Sequence, residues 1–80
     1  MSKRDYRIRV MIKERLGIPK NRIGVKLFYG KLYVVEIRDN IASKKTNKVL
    51  DVLGYIRDLI PNLYDVTVVS NDNIFHSVKS

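Results

Sequence analysis

The chain has 80 residues, no cysteine and a formal net charge of +8. A chain this short is read as one domain, 1–80, with an economical core. The lack of cysteine excludes disulfide frameworks, thiolate metal sites and thiol nucleophiles. Its apolar content of 45% is too high for a disordered chain. No apolar run approaches the roughly 18 residues that span a bilayer. The charged start, Met1 to Asp5, leads into no apolar segment, so no signal peptide is expected and a cytoplasmic location is the default.

The charge is placed unevenly. Residues 1–31 hold ten basic and two acidic side chains, whereas residues 32–80 hold six of each. Such an asymmetry points to a polyanionic partner, nucleic acid before an anionic membrane surface. Simple solubility is the bland alternative.

No repeat, low-complexity tract or Gly/Ser linker divides the chain. Residues 1–4 are expected to be flexible. Residues 5–16 read as a helix with Ile8, Met11, Ile12 and Leu16 on one stripe. Gly17 suits a left-handed C-terminal position, Ile18 can pack back, and Pro19 forbids continuation. A strand-like alternation of Tyr6, Ile8, Val10 and Ile12 competes, and the stop signal favours the helix. Residues 22–38 read as a β-hairpin. Ile23, Val25 and Leu27 alternate on one arm; Tyr33, Val35 and Ile37 alternate on the other. Both sets face one side only if the connection is odd-length, so three residues, Tyr29-Gly30-Lys31, are expected in the loop.

Residues 44–60 read as the principal helix, with Val49, Val52, Leu53, Ile56, Leu59 and Ile60 as its apolar stripe, Ser43 or Thr46 as its cap and Pro61 as its stop. Asp65 to Ser70 is a third strand, Asn71-Asp72-Asn73 a turn, and Ile74 to Val78 either a fourth strand or a frayed end, with 79–80 flexible. The expected fold is α+β, a two-layer sandwich of order α-β-β-α-β(-β), with both helices on one face of a small, mostly antiparallel sheet.

Catalysis has little support. His76 is the only histidine, carboxylates do not cluster at metal-ligand spacing, and no Gly-rich phosphate loop occurs. No catalytic residue, metal or cofactor is expected. Three basic regions suit phosphates better. Lys3, Arg4, Arg7, Arg9, Lys13, Arg15, Lys20 and Arg22 lie on or just after the first helix. Lys44, Lys45 and Lys48 open the principal helix, where cations oppose the dipole unless an anion binds among them. On the hairpin's outer face, Phe28 and Tyr29 are expected to stack bases while Lys26 and Lys31 hold the backbone. A solvated helix face, three solvated lysines and a dimer interface are the respective alternatives.

In layout, the stretch Lys48 to Val69 resembles the helix-then-strand end of ring-building domains of secretion systems and of BON domains. KH domains have a related α+β layout, which would imply single-stranded RNA binding, but their G-x-x-G loop is absent. Leu16 to Ile23, followed by Leu32 to Arg38, resembles the interior of LAGLIDADG-type homing endonucleases, without their acidic metal-binding motif. Fold analogy does not settle function. The expectation is therefore a non-enzymatic module that binds DNA or RNA through its basic N-terminal region, of a size common among viral or plasmid accessory proteins. The alternative is an assembly module that dimerises through the hairpin's outer face.

Overall fold

The computed structural model describes residues 1–41 and 44–78. The elements are α1 (Lys3–Leu16), a 3-10 turn (Lys20–Arg22), β1 (Ile23–Phe28), β2 (Leu32–Ile37), α2 (Thr46–Leu59), β3 (Asp65–Val69) and β4 (Ile74–Val78). Helix α1 starts at Lys3, two residues before the periodicity predicts. The cause is Ser2, whose hydroxyl oxygen accepts the Asp5 N–H at 3.0 Å, while the Asp5 carboxylate favours the positive end of the dipole. Ser2 to Arg4 are thus part of the capped helix rather than a loose end. Gly17 closes the helix at φ 66°, its N–H bonded to the Lys13 carbonyl at 2.9 Å. The buried stripe is Ile8, Ile12 and Leu16; Tyr6 lies exposed, so the alternating pattern has no strand to serve.

The hairpin connection has three residues between the paired Phe28 and Leu32, and Ile23, Val25 and Leu27 lie opposite Ile37, Val35 and Tyr33 on the helix-facing side. Tyr29 and Gly30 both take positive φ, 56° and 70°, in the tight turn. The Lys31 carbonyl then accepts the Tyr64 N–H at 2.8 Å, which ties the hairpin tip to the start of β3.

Helix α2 begins at Thr46, with Lys45 in the cap position and no side-chain cap bond; the other suggested cap, Ser43, lies outside the described residues. Val49, Val52, Leu53 and Ile56 are its buried face. Gly54 is exposed, and a Cβ there would meet nothing within 4 Å. Gly54→Ala is therefore expected to raise stability by about 1 kcal/mol, measured by urea denaturation, because the helix gains propensity without a clash.

The sheet order is β1-β2-β3-β4, with antiparallel outer pairs and a parallel central pair. A parallel pair needs a crossover, and α2 supplies it. The sheet is thus mixed, and β4 is a paired strand, not a frayed end. Both helices pack on one face, burying Ile8, Ile12, Val35, Val52, Ile56 and Val68 among others. This is an α+β, two-layer sandwich of order α-β-β-α-β-β. Among the described residues, no helix is long and apolar enough to cross a membrane.

One polar bond lies inside this core. Tyr33 is fully buried, and its hydroxyl donates to Asp5 Oδ1 at 2.8 Å. Burial, then this bond and the carboxylate's charge, push the Tyr33 pKa well above its ordinary value. The neutral phenol is thus favoured in the fold, and its contribution is fully present below about pH 10 and lost as pH rises further. Tyr33→Phe is expected to cost about 1 kcal/mol at neutral pH and to flatten the alkaline loss of stability, read from thermal melts across the alkaline range.

Candidate functional site

The 20–22 turn follows the Gly17–Pro19 stop and leads straight into β1, so it sits against α1 on one side and the end of β2 on the other. Two of its carbonyls accept guanidinium groups, that of Lys20 in addition to the Ile23 N–H. Arg9 Nη2 on α1 donates to the Lys20 carbonyl at 2.8 Å. Arg38, just past β2, donates from Nη2 to the Asn21 carbonyl at 2.7 Å, and its backbone N–H donates to the Arg22 carbonyl at 2.9 Å. Arg9 also reaches the Met1 sulfur at 3.5 Å, while its Nε is buried without an acceptor. Lys20 turns back over Tyr6, with Nζ 4.8 Å from the ring centroid and 3.2 Å from the hydroxyl. Arg22 contributes a fourth cation.

Arg9 and Arg38 are thus bonded to the backbone of the turn from which Lys20 and Arg22 project, one towards Tyr6 and the other towards Asp39. The one carboxylate paired with them among the described residues is Asp39, 3.6 Å from Arg22, with both side chains substantially exposed. An exposed pair of that kind contributes little and leaves most of the positive potential intact. Carbonyl oxygens orient Arg9 and Arg38 without cancelling their charge. Guanidiniums held in this way present a planar, pre-oriented fork to oxyanions such as phosphate.

The other basic residues distribute differently. Lys3, Arg7 and Lys13 are exposed on α1, with no ion pair among the described residues. Lys13 lies one turn after Arg9 on the same side of the helix and extends the cluster. Arg4 and Arg15 each have a carboxylate nearby: Arg4 Nε lies 3.6 Å from Asp5, and Arg15 forms an exposed pair at 3.5 Å with Asp51 of α2.

The lysines near α2 do not form the convergent anion site that the sequence suggests. Lys44 and Lys45 precede the helix rather than occupying its first turns. The Lys45 ammonium is bonded to the Leu16 carbonyl, at the negative end of α1, where a cation is favoured. Lys48 remains exposed in the first turn.

On the sheet's outer face, Lys26 lies over the Phe28 ring at 5.0 Å. Tyr29 is 89% exposed at the turn, its ring tilted 43° to that of Phe28 with centroids 6.4 Å apart. Lys31 is exposed at the same tip. These residues lie on a different surface from the guanidinium cluster.

Sequence reasoning missed Arg38. The hairpin register held the clue, because pairing Ile23 with Ile37 brings position 38 beside position 22. It also missed a polar group joining β3 to β4. Thr67 Oγ1 donates to Asp65 Oδ2 at 2.6 Å, and His76 Nδ1 lies 3.1 Å from that hydroxyl and 3.3 Å from the same carboxylate oxygen. Nδ1 of His76 is thus within hydrogen-bond reach of both oxygens. No group of three or more His, Cys, Asp or Glu side chains that could hold a metal ion occurs among the described residues. The Asp65–Thr67–His76 group therefore reads as a tether for the edge strand.

No family model, curated protein or solved structure matches the chain.

Proposed function

We propose that this chain is a small, non-enzymatic nucleic-acid-binding module acting in the cytoplasm. It contacts backbone phosphates through the edge formed by α1 and the 20–22 turn. The observation that carries this reading is that the turn bearing Lys20 and Arg22 also holds the Arg9 and Arg38 guanidiniums on its carbonyls, with Asp39 the one carboxylate paired to any of the four among the described residues. Lysine and arginine side chains so placed displace condensed counterions, which gives affinity with little sequence preference. Lys13, Arg7 and Lys3 continue the positive surface along α1 and lengthen the contact.

The experiment is fluorescence anisotropy with labelled short single- and double-stranded DNA and RNA. At about 50 mM salt, at least one of these probes is expected to bind with a Kd in the micromolar range or tighter. Absence of binding to all of them under that condition contradicts the proposal. A second reading, an assembly module, is favoured by the partly apolar outer face of the sheet, which no element among the described residues covers.

A further inference from the structure

The helices cover one face of the sheet and leave the other open. Its cross-strand rows are Phe28, Leu32, Asp65 and Val78; then Lys26, Val34, Thr67 and His76; then Gly24, Glu36, Val69 and Ile74. Half of these twelve positions are apolar. Ile74 and Val78 are 56% and 54% exposed, and Phe28 is 36% exposed. Phe28, Leu32 and Val34 adjoin on the hairpin and Val69 and Ile74 adjoin across β3 and β4, while Val78 stands apart beyond Asp65 and His76; exposed apolar groups grouped in this way favour an interface. Its charges make it a poor phosphate surface, because Lys26 is opposed by both Glu36 and Asp65.

We infer that this open face binds a second copy of the chain, with Lys26 of each copy paired to Glu36 of the other. The arrangement of charges selects this occupant. Lys26 and His76 stand on the two edge strands in the middle row. Glu36 and Asp65 stand on the two inner strands in opposite outer rows. The four form a parallelogram with like groups at opposite corners.

A second copy turned face-down about an axis in the sheet plane, diagonal to the strands, brings Lys26 over Glu36 reciprocally. The same turn brings Phe28 over Ile74 and sets Val34 against its own counterpart near the axis. The strands then cross steeply, an arrangement known for packed sheets, and the contact is self-complementary, as a two-fold dimer requires. Lys26 and Glu36 have no ion pair within the chain among the described residues, whereas Asp65 and His76 already hold each other.

A hollow of about 260 Å³ beside Gly24, lined by Lys26, Phe28, Val34 and Glu36, gives the face relief for such packing. Four strands of five or six residues span roughly 19 Å by 20 Å. That is small for a stable interface, so a dimer in the micromolar range is expected rather than an obligate one. Arg22 and Arg38 stand one row beyond Gly24 and Glu36, outside these twelve positions, and the test of dimerisation uses variants that replace none of Arg9, Lys20, Arg22 and Arg38, so its failure is distinguishable from failure of nucleic-acid binding.

Sedimentation velocity over a concentration series tests the inference. The wild type is expected to pass from monomer to dimer as concentration rises. Val34→Asp, at the centre of the outer face, is expected to abolish the dimer while its circular dichroism stays native. Lys26→Glu and Glu36→Lys are each expected to weaken it about tenfold, and the double exchange to restore it. A wild type that stays monomeric up to several hundred micromolar, about a hundredfold above the expected range, overturns the inference. So does a dimer indifferent to a folded Val34→Asp variant, or a double exchange weaker than either single change. Capture of a different protein by a monomeric chain would likewise count against the second copy.

Discussion

The double variant Lys20→Glu/Arg22→Glu is expected to bind nucleic acid about a hundredfold more weakly than the wild type, with its fold intact. The magnitude follows from the local charge. Four cations lie on or are bonded to the 20–22 turn, only Arg22 of them is paired with a carboxylate among the described residues, and the variant replaces two of the four with anions. The carboxylate introduced at position 20 would also lie beside the Arg9 guanidinium and neutralise it. Folding is expected to survive, because Arg22 is exposed and Lys20 makes only a surface contact to Tyr6. The matching control is Lys44→Glu/Lys48→Glu, which changes net charge equally but replaces neither a residue of the 20–22 turn nor one bonded to it, and it is expected to lose far less. Anisotropy on one oligonucleotide compares the two. Equal losses would show that net charge, not the cluster, governs binding.

The largest expected effect on stability is at Arg57, a position the sequence gives no reason to single out. From the last turn of α2 its guanidinium donates to the Leu63 carbonyl at 3.1 Å, the Tyr64 carbonyl at 3.2 Å and the Ser77 hydroxyl at 2.6 Å, and also to the Ser77 carbonyl. One side chain thus joins the helix, the loop before β3 and the edge strand β4. Bonds from a charged donor are worth more than neutral ones, but part of this group is exposed to water. Arg57→Ala is expected to cost about 2–3 kcal/mol, a large share of what an 80-residue domain has. Arg57→Lys is expected to recover only part of the loss, because an ammonium cannot bridge three segments in a plane. Urea denaturation measures the cost. Hydrogen exchange would show β4 amides opening before those of β2 and β3. A change below about 0.5 kcal/mol would mean the bonds are replaced by water.

The architecture could be read from local chemistry because each boundary is set locally. Gly17 and Pro19 end α1 whatever surrounds them, and the alternation on both hairpin arms fixes an odd loop without reference to the rest of the chain. The sheet's central parallel pair is a consequence of where α2 crosses, which no local pattern encodes. The site was legible only in part. A lysine or arginine has a stem long enough to reach several partners, so its position in the sequence says little about where its charge rests. Lys45 shows this: it reads as an unsatisfied cation at the start of α2, yet it bonds to the end of α1. Arg38 is the converse, a cation in the neutral half of the chain that the hairpin register carries into the basic half.

The apolar outer face was visible for the hairpin, where Phe28, Leu32 and Val34 alternate outward. That Val69, Ile74 and Val78 continue it across β3 and β4 depends on strand order, and so on the fold.

The dependence of wild-type affinity on salt measures the cationic edge most directly. If Arg9, Lys20, Arg22 and Arg38 each meet a phosphate and Lys3, Arg7 and Lys13 lengthen the contact, the plot of log K against log salt for duplex DNA is expected to be linear with a slope of about −4 to −6, and shallower in proportion for single strands. The Lys20→Glu/Arg22→Glu variant would reduce that slope by about two. A slope near zero, or one that this variant leaves unchanged, would contradict the account.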